Sequence, residues 1–266
     1  MIMNRRSFAI ILPLVLGANL VSALPSSSQV EATFLFSPMQ SNFATSGQKA
    51  TQSFLVTNTG KKATAIQIKM VKRQMDLDGK EINTDADDDF ILYPPQMLVK
   101  AGERQTVRVT WVGNASPPQE LAYRIIAEQL PVDLTEIRQT QGNTTVAIKV
   151  LFQYMGSVYI VPPNVSPNLS LENAVCQVET SKDGKKENKL QLTFANQGTA
   201  HTLLSNLRLN LAPVGKEANP IKLEAKQLTG VNGENMLAGS KRRFSLPCPA
   251  GLPNDKLSGT FEYDRN

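Results

Sequence analysis

The sequence predicts an all-β protein built from two β-sandwich domains. After the N-terminal leader, apolar residues almost never recur with the 3.6-residue period of a helix. Short alternating or apolar segments separated by glycine-containing turns recur instead. A diproline, Pro162–Pro163, divides these segments into two series. Several short strands at such spacing are typical of a β-sandwich, so each series predicts one.

The first residues are predicted to be a signal peptide. Arg5 and Arg6 precede an apolar stretch, Ser7–Val21, and the small residues around Ala23 are those at which a secretory peptidase cuts. The stretch is interrupted by proline and glycine and falls short of the roughly 20 apolar residues that span a bilayer. We therefore expect cleavage near Ala23, export, and a mature chain that is not membrane-embedded.

The net charge argues against nucleic-acid binding, and the length indicates two domains. The net charge of +5 falls to +3 once the two leader arginines are removed, which is too small for a nucleic-acid footprint. Removing residues 1–23 from the 266-residue chain leaves 243, more than one sandwich of about 100 residues needs. We predict a first domain over residues 24–160 and a second over residues 161–266.

Each domain has its own series of predicted strands. Those of the first are Thr33–Phe36, Thr51–Val56, Ala65–Val71, Gln105–Val112, Leu121–Leu130 and Thr144–Val161. Those of the second are Leu169–Leu171 with Ala174–Val178, Lys189–Phe194, Leu203–Leu211, Ile221–Leu228, Arg242–Leu246 and Leu257–Tyr263. The junction is placed at Tyr159–Ser166, where prolines stiffen the connection.

The sharpest pattern is the last strand of the first series, which reads as one long strand running into the diproline. By the two-residue strand period, one face carries Val146, Ile148, Val150 and Phe152. The opposite face also contains apolar residues, so both faces need a cover. Its own two-layer domain supplies one cover, and the pattern favours another molecule as the second. An ordinary core strand of a lone sandwich is the alternative, because it has the same alternation.

The remaining chemistry is sparse. Cys176 and Cys248 are the two cysteines, and in an exported chain an even pair predicts a disulfide. Such a bridge contributes about 4 kcal/mol in the chain-entropy model, with two buried free thiols as the alternative. His201 is the one histidine and has no accompanying nucleophile motif, so we expect no catalytic or metal role for it. The acidic cluster Asp85–Asp89 lacks the spacing of a calcium loop and predicts a solvated hairpin tip.

Several segments resemble one family. LAYRIIAEQLP (Leu121–Pro131), followed by VAIKVLFQY and SVYIVPP within Val146–Pro163, resembles the F and G strands in the first domain of periplasmic pilus chaperones, especially the archaic type that assembles spore-coat-like pili. YPPQMLVKAGERQTVRV (Tyr93–Val109) is similar to that family's Pro-Pro, Leu, Gly and Val-Arg-Val pattern. FSPMQSNF (Phe36–Phe43) resembles its first strand, and NQGTAH (Asn196–His201) resembles a turn of its second domain.

The resemblance implies two immunoglobulin-like sandwiches in a boomerang arrangement. It also implies donor-strand complementation, in which a chaperone strand is added to the open sheet edge of a pilin subunit. The implied partners are pilin subunits and an outer-membrane usher, the implied location is the periplasm, and neither a cofactor nor a metal nor catalysis is implied. The inserted side chains are then Val146, Ile148, Val150 and Phe152, each contributing roughly 1.5 to 3 kcal/mol before association costs.

The family also anchors the subunit's terminal carboxylate with two basic residues, and this chain departs from that pattern. The aligned positions are Gln40 and Gln153, two amides that lack the gain of a charge-assisted hydrogen bond. Lys149, on the same strand face as Gln153, is a candidate replacement cation. Glu120 aligns with a family carboxylate at the domain interface, with a solvated loop charge as the alternative.

Two other classes of protein stay open on the sequence alone. An exported two-domain adhesin or structural pilus component is expected to carry its own N-terminal donor extension. Here the G strand is long instead, and the tail beyond Tyr263 is short. A secreted hydrolase on a β-sandwich would need a catalytic constellation that His201 does not provide.

Overall fold

The computed structural model describes residues 33–132, 136–141, 144–181 and 183–265, with the backbone alone in the strands within 136–149. The predicted signal peptide and its cleavage site lie outside these residues. The fold is all-β, and two β-sandwiches each enclose their own hydrophobic core, as the sequence predicts. Three short 3₁₀ turns, Gln48–Ala50, Asp87–Asp89 and Ala225–Gln227, are the helical pieces of the described chain. Within that part of the chain, no helix is long and apolar enough to cross a membrane.

Twelve strands precede the diproline. They are β1 (Phe34–Ser37), β2 (Gln40–Ala44), β3 (Thr51–Asn58), β4 (Thr64–Met75), β5 (Glu81–Asp85), β6 (Phe90–Tyr93), β7 (Gln96–Val99), β8 (Arg104–Trp111), β9 (Leu121–Gln129), β10 (Glu136–Gln141), β11 (Thr144–Lys149) and β12 (Gln153–Val161). One sheet has the order β1-β3-β8-β6, and the other has the order β2-β12-β9-β4-β5, with β7 also paired to β4. Strands β10 and β11 form a separate two-stranded ribbon.

The first core lies between these two sheets. Residues at every second position face inward, as on β4, where Ile66, Ile68 and Met70 are buried and the residues between them are not. Ile125 on β9 and Val158 on β12 complete the same layer. The period-2 alternation therefore predicted the core face of these strands correctly.

The two-residue period of apolar residues did not predict five strands of this sandwich or its ribbon, β2, β5, β6, β7 and β10, although Phe36–Phe43, which resembles the family's first strand, overlaps β2. Strands β2 and β5–β7 are at most five residues long, and a run of four or five residues contains too few alternations to stand out. The two that include Gln40 and Glu81 contribute to the candidate site described below.

The second sandwich follows the diproline. Its strands are β13 (Leu169–Thr180), β14 (Lys186–Asn196), β15 (Thr202–Leu203), β16 (Ser205–Pro213), β17 (Ile221–Leu223), β18 (Asn235–Met236), β19 (Lys241–Pro247) and β20 (Leu257–Asp264). They form sheets β13-β14-β19 and β17-β16-β20 and the short pair β15–β18. Cys176 on β13 and Cys248, just after β19, form the predicted disulfide.

Three of the expected strands differ in detail here. The strand expected over Leu203–Leu211 is divided at Leu204 between β15 and β16. The pieces predicted at Leu169–Leu171 and Ala174–Val178 belong to one strand, β13, whose register shifts between Leu171 and Asn173. The strand expected over Ile221–Leu228 ends at Leu223, and a 3₁₀ turn follows it.

The largest correction concerns the long strand expected over Thr144–Val161. It is two strands, β11 and β12, and residues 150–152 between them are not in strand conformation. The partner segment explains the break, because six residues separate β9 from β10 whereas three separate β11 from β12. Unequal lengths on the two sides prevent a continuous ladder. Leu130 also leaves the pairing, since its N–H donates to the carbonyl of Ala65 on β4 at 2.9 Å.

Candidate functional site

Strand β12 is held on both edges along its second half. β9 pairs with it in antiparallel register from Gln153 to Ile160, and β2 pairs with it in parallel register from Ser157 to Val161. Its inward residues Val158 and Ile160 are fully buried. This half of the strand is therefore part of the sandwich itself.

The first half of β12 has an open edge. The ladder with β2 starts where Gln40 lies opposite Ser157, and the N–H of Ser157 donates to the carbonyl of Met39 at 2.8 Å. Before that point, residues 153–156 have no second strand partner among the residues described. The reason is that the chain changes sheets between β1 and β2, since β1 pairs with β3 in the opposite sheet.

Tyr154 bridges the gap between the two sheets at this open edge. Its hydroxyl donates to the backbone carbonyl of Phe34 on β1 at 2.8 Å, and the two rings meet edge to face with centroids 5.0 Å apart. The gap is thus closed by one side chain rather than by a strand ladder. The backbone edge of β12 stays available there.

The predicted row of apolar residues divides at this place. Phe152 is partly buried against the protein's own core, and Val150 is half-buried. Leu151, between them, is 48% exposed. Val146 and Ile148 lie on β11, whose backbone pairs with β10 and with no other strand of the described residues. The four residues are therefore not equivalent, and Phe152 already has contacts within its own sandwich.

The predicted anchor residues are not brought together. Gln40 lies opposite Ser157, whereas Gln153 lies four positions earlier on β12, opposite Glu128. The amide of Gln153 donates to Glu128 Oε2 at 3.3 Å, and Glu128 also pairs with Lys69 at 2.5 Å. Both amides are exposed. The alignment by apolar positions could not detect this offset, because the parallel register of β2 is not visible in the sequence.

Ser157, opposite Gln40, is bonded to a cation that the sequence analysis did not select. Arg124, on β9, donates to Ser157 Oγ at 2.5 Å and to Glu81 Oε2 at 3.0 Å. An ion pair with Glu81 Oε1 also joins Arg124 to Glu81. Glu81 also pairs with Arg73 at 2.7 Å. Position 124 alternates with the buried residues of β9, and that polar interruption of an apolar strand was the available signal.

Charges around Glu81 shift two pKa values. Burial alone would raise the pKa of Glu81, but the hydrogen bond from Arg124 and the charges of both arginines outweigh it and hold the pKa below 4.5. Burial lowers the pKa of Arg73, and the like charge of Arg124 lowers it further. The Arg73 side chain is 5% exposed, so Glu81 is the group that compensates its charge.

Glu120 lies where the two sandwiches meet. It is 6% exposed, and its Oε1 is 2.5 Å from His201 Nδ1 and accepts from the N–H of His201 at 3.1 Å. The His201 ring stacks on Tyr159 of β12, with centroids 3.7 Å apart and planes at 5°. The Tyr159 hydroxyl accepts from Asn235 Nδ2 at 2.7 Å. The one histidine is thus packed between the two sandwiches.

The acidic cluster forms part of the loop between β5 and β6. Asp87 Oδ1 accepts from the N–H of Met70, and Asp89 Oδ2 accepts from the Tyr123 hydroxyl, each at 2.9 Å. Burial and this hydrogen bond raise the pKa of Tyr123. Asp87 and Asp89 therefore bind the loop to the sandwich, and the cluster is not only a solvated tip. Over the described residues, no group of three or more potential ligands is placed to hold a metal ion.

Comparisons with known proteins agree with this architecture. The family described as "Pili and flagellar-assembly chaperone, PapD N-terminal domain" matches residues 36–164. The comparison with curated proteins gives no match. A solved structure described as "Chaperone-tip adhesin complex is vital for synergistic activation of CFA/I fimbriae biogenesis" contains a similar chain at 16% identity, with 87% of this chain and 95% of that chain covered and a TM-score of 0.56.

Two further structures are similar at comparable levels. "Crystal Structure of Class 5 Fimbriae Chaperone CfaA" shares 14% identity over 87% of this chain and 99% of that chain, with a TM-score of 0.51. "Salmonella enterica SafA pilin in complex with the SafB chaperone (Type I)" shares 13% over 89% and 98%, also with a TM-score of 0.51. At these identities the likeness shows the fold, two immunoglobulin-like sandwiches. Residues 36–164 therefore form a domain of the family of pili and flagellar-assembly chaperones.

Proposed function

We propose that this protein is a periplasmic chaperone that captures pilin subunits by donor-strand complementation and delivers them to an outer-membrane usher. The observation that carries the proposal is the open edge of the G strand. β11 and residues 153–156 of β12 have a partner strand on one edge and, among the described residues, none on the other. An open edge accepts a strand from another chain.

The residues along this edge supply the second requirement, apolar side chains for a pilin groove. Val146 and Ile148 lie on the ribbon, beyond the two sheets of the sandwich, and Val150 is half-buried. Full burial of such a side chain contributes roughly 1.5 to 3 kcal/mol before association costs, and Val150 would contribute less because it is already half-buried. Phe152 would contribute less, because part of its surface is already covered by its own core. We therefore rank Val146, Ile148 and Val150 above Phe152 as inserted residues.

The terminal carboxylate of the subunit is proposed to bind beside Gln40. Gln40 is exposed, and Arg124 on β9, bonded to Ser157 opposite Gln40, supplies positive charge one strand beyond β12. Gln153 and Lys149 are weaker candidates, since their register partners Glu128 and Glu136 are carboxylates that would repel another one.

The rest of the proposal concerns organisation and location. We infer a signal peptide over residues 1–23, an N-terminal chaperone domain over 24–160 and a C-terminal domain over 161–266, with Glu120 and His201 fixing their junction. The protein works by binding rather than catalysis, and the energy for assembly comes from replacing its strand with a better-fitting subunit strand.

Substitution of Ile148 tests the proposal. The tagged chaperone is co-expressed with the untagged pilins of its own genome, and the pilin recovered with it from the periplasm is measured. Ile148→Asp places a charge in the inserted row and should reduce recovery at least about tenfold. Ala147→Asp, at the adjacent position on the opposite face, is the matched control and should retain most of the capture. Undiminished capture by Ile148→Asp would refute the proposed role of this strand.

A further inference from the structure

Strand β10 is paired with β11 along its whole length. The register joins six residue pairs, from Glu136 opposite Lys149 to Gln141 opposite Thr144. Residues directly opposite each other in an antiparallel pair share one face. Ile137 is opposite Ile148, and Gln139 is opposite Val146, so the two-residue period places all four on the same face of the ribbon.

Strand β11 offers a pilin strand only one edge at which to add without breaking existing pairing, since β10 occupies the other. Displacing β10 would remove its ladder, at about 0.5 to 1.5 kcal/mol for each hydrogen bond lost. Addition at the other edge of β11 removes none, because no strand occupies that edge within the described chain. A pilin that forms its ladder there leaves β10 in place.

From this register we infer that the β10–β11 ribbon binds pilin as a unit, and that Ile137 is a further pilin-contacting residue. The inference rests on the proposed function and deepens it. The fitting partner is a pilin groove that accepts two strands at the ribbon's base, where Ile137 adjoins Ile148. Towards the tip, the position opposite Val146 is the polar Gln139, so β10 places no second apolar residue on this face. A single-strand description of the site omits this residue.

The test compares two substitutions on β10 that differ in face. Ile137→Asp puts a charge on the shared face, and Thr140→Asp puts the same charge on the opposite face, nearer the tip. In the tagged-chaperone co-expression assay, Ile137→Asp should lower pilin recovery at least about tenfold and Thr140→Asp less than about twofold. Ile137→Ala should give an intermediate loss while keeping the ribbon intact.

Ile148→Asp, measured in parallel, separates this inference from the proposed function. If Ile148→Asp abolishes capture while Ile137→Asp and Ile137→Ala do not change it, Ile137 is not a contact and the inference fails alone. If none of the three changes capture, the proposed function fails with it. Equal losses from Ile137→Asp and Thr140→Asp would also overturn the face assignment.

A cross-link provides an independent measurement. Thr140 and Thr145 are opposite each other, so Thr140→Cys with Thr145→Cys can join β10 to β11, and mass spectrometry verifies the added bridge. The cross-linked chaperone should capture as much pilin as the Thr140→Ser, Thr145→Ser variant. Loss of capture in the cross-linked form alone would show that β10 must leave, which contradicts binding as a unit.

Discussion

Strands β11 and β12, the two halves of the predicted G strand, share an alternation of apolar residues and have different surroundings. Both alternate apolar residues at even positions, Ile148 in the first half and Val158 and Ile160 in the second. In β12 Val158 and Ile160 are fully buried by the protein's own sandwich, and both edges are paired beyond Gly156. In β11 the backbone pairs with β10 alone. The alternation thus indicates which side of a strand is to be covered, and the tertiary structure decides which chain covers it.

The same comparison explains why the break between the halves matters. Phe152, just before the first residue of β12, packs partly against the core. The ladder with β10 begins only at Lys149. One half is an element of the folded sandwich, and the other extends from it. Stability and capture should therefore be separable by mutation.

The largest difference in stability is expected between one charge placed in β12 and the same charge placed in β11. Val158→Asp buries an unpaired carboxylate at a position with no exposed surface, and should cost about 4 kcal/mol or prevent folding. Ile148→Asp should leave the midpoint of urea unfolding nearly unchanged. Val158→Ala, at roughly 2 to 3 kcal/mol, keeps the comparison measurable if Val158→Asp yields no protein. Equal destabilisation by the two aspartates would show that β11 belongs to the sandwich core.

The next largest loss of stability is expected from removing Glu81, whose ion pair with Arg124 supports the outward face of β12. Glu81→Gln removes the carboxylate that compensates Arg73 and Arg124, and Arg124 in turn bonds Ser157 of β12. Because Arg73 is almost fully buried, the loss should be about 3 kcal/mol in the free energy of unfolding at pH 7. Glu128→Gln, whose partner Lys69 is more exposed, is the control and should cost under about 1 kcal/mol.

This effect has a defined pH dependence. The folded-state pKa of Glu81 is lower than the ordinary value of 4.5, so its ionised form stabilises the folded state fully above about pH 4.5. That contribution is lost as the pH falls through the lowered pKa. The difference in unfolding free energy between wild type and Glu81→Gln should therefore shrink in acid, and a constant difference from pH 7 to pH 3 would contradict the ion-pair explanation.

The fold was largely predictable from these patterns, and the site only in part. Alternation identified the central strands and their core faces, as at Ile66 and Ile125, because burial dictates residue type at those positions. Short edge strands such as β2 were missed, and with them the register that places Gln40 opposite Ser157. Register depends on pairing between distant segments, which one sequence does not display.

The contacts between charged residues were also not predictable from the sequence. Arg124, Glu81 and Arg73 come from three strands and meet only in the folded sheet. His201, for which the sequence predicts no catalytic role, is stacked on Tyr159 at the junction of the sandwiches. A lone titratable residue in sequence thus has a role only through its tertiary partners.

A smaller effect should come from Gly156, at the point where the open edge becomes a paired one. A Cβ atom at this position would lie 3.0 Å from Ile125 Cγ2 and 3.2 Å from the Met39 carbonyl oxygen. Gly156→Ala should therefore push β2 away from β12 and destabilise the protein by about 2 kcal/mol, more than the gain from a stiffer unfolded chain. Urea unfolding measures this change, and an increase in stability would mean that β2 gives way at little cost.

The smallest effect should come from the side chain that bridges the two sheets at the open edge. Tyr154→Phe keeps the ring contact with Phe34 and removes only the hydrogen bond to the Phe34 carbonyl, so it should cost about 1 kcal/mol. Tyr93→Phe is the matched control and should cost nothing measurable, because Tyr93 is 74% exposed. If the bridge keeps β1 and β12 at a fixed separation, hydrogen exchange at the N–H groups of β1 should accelerate in Tyr154→Phe and not in Tyr93→Phe. Unchanged exchange would mean that ring packing alone holds the two sheets together beside the open edge.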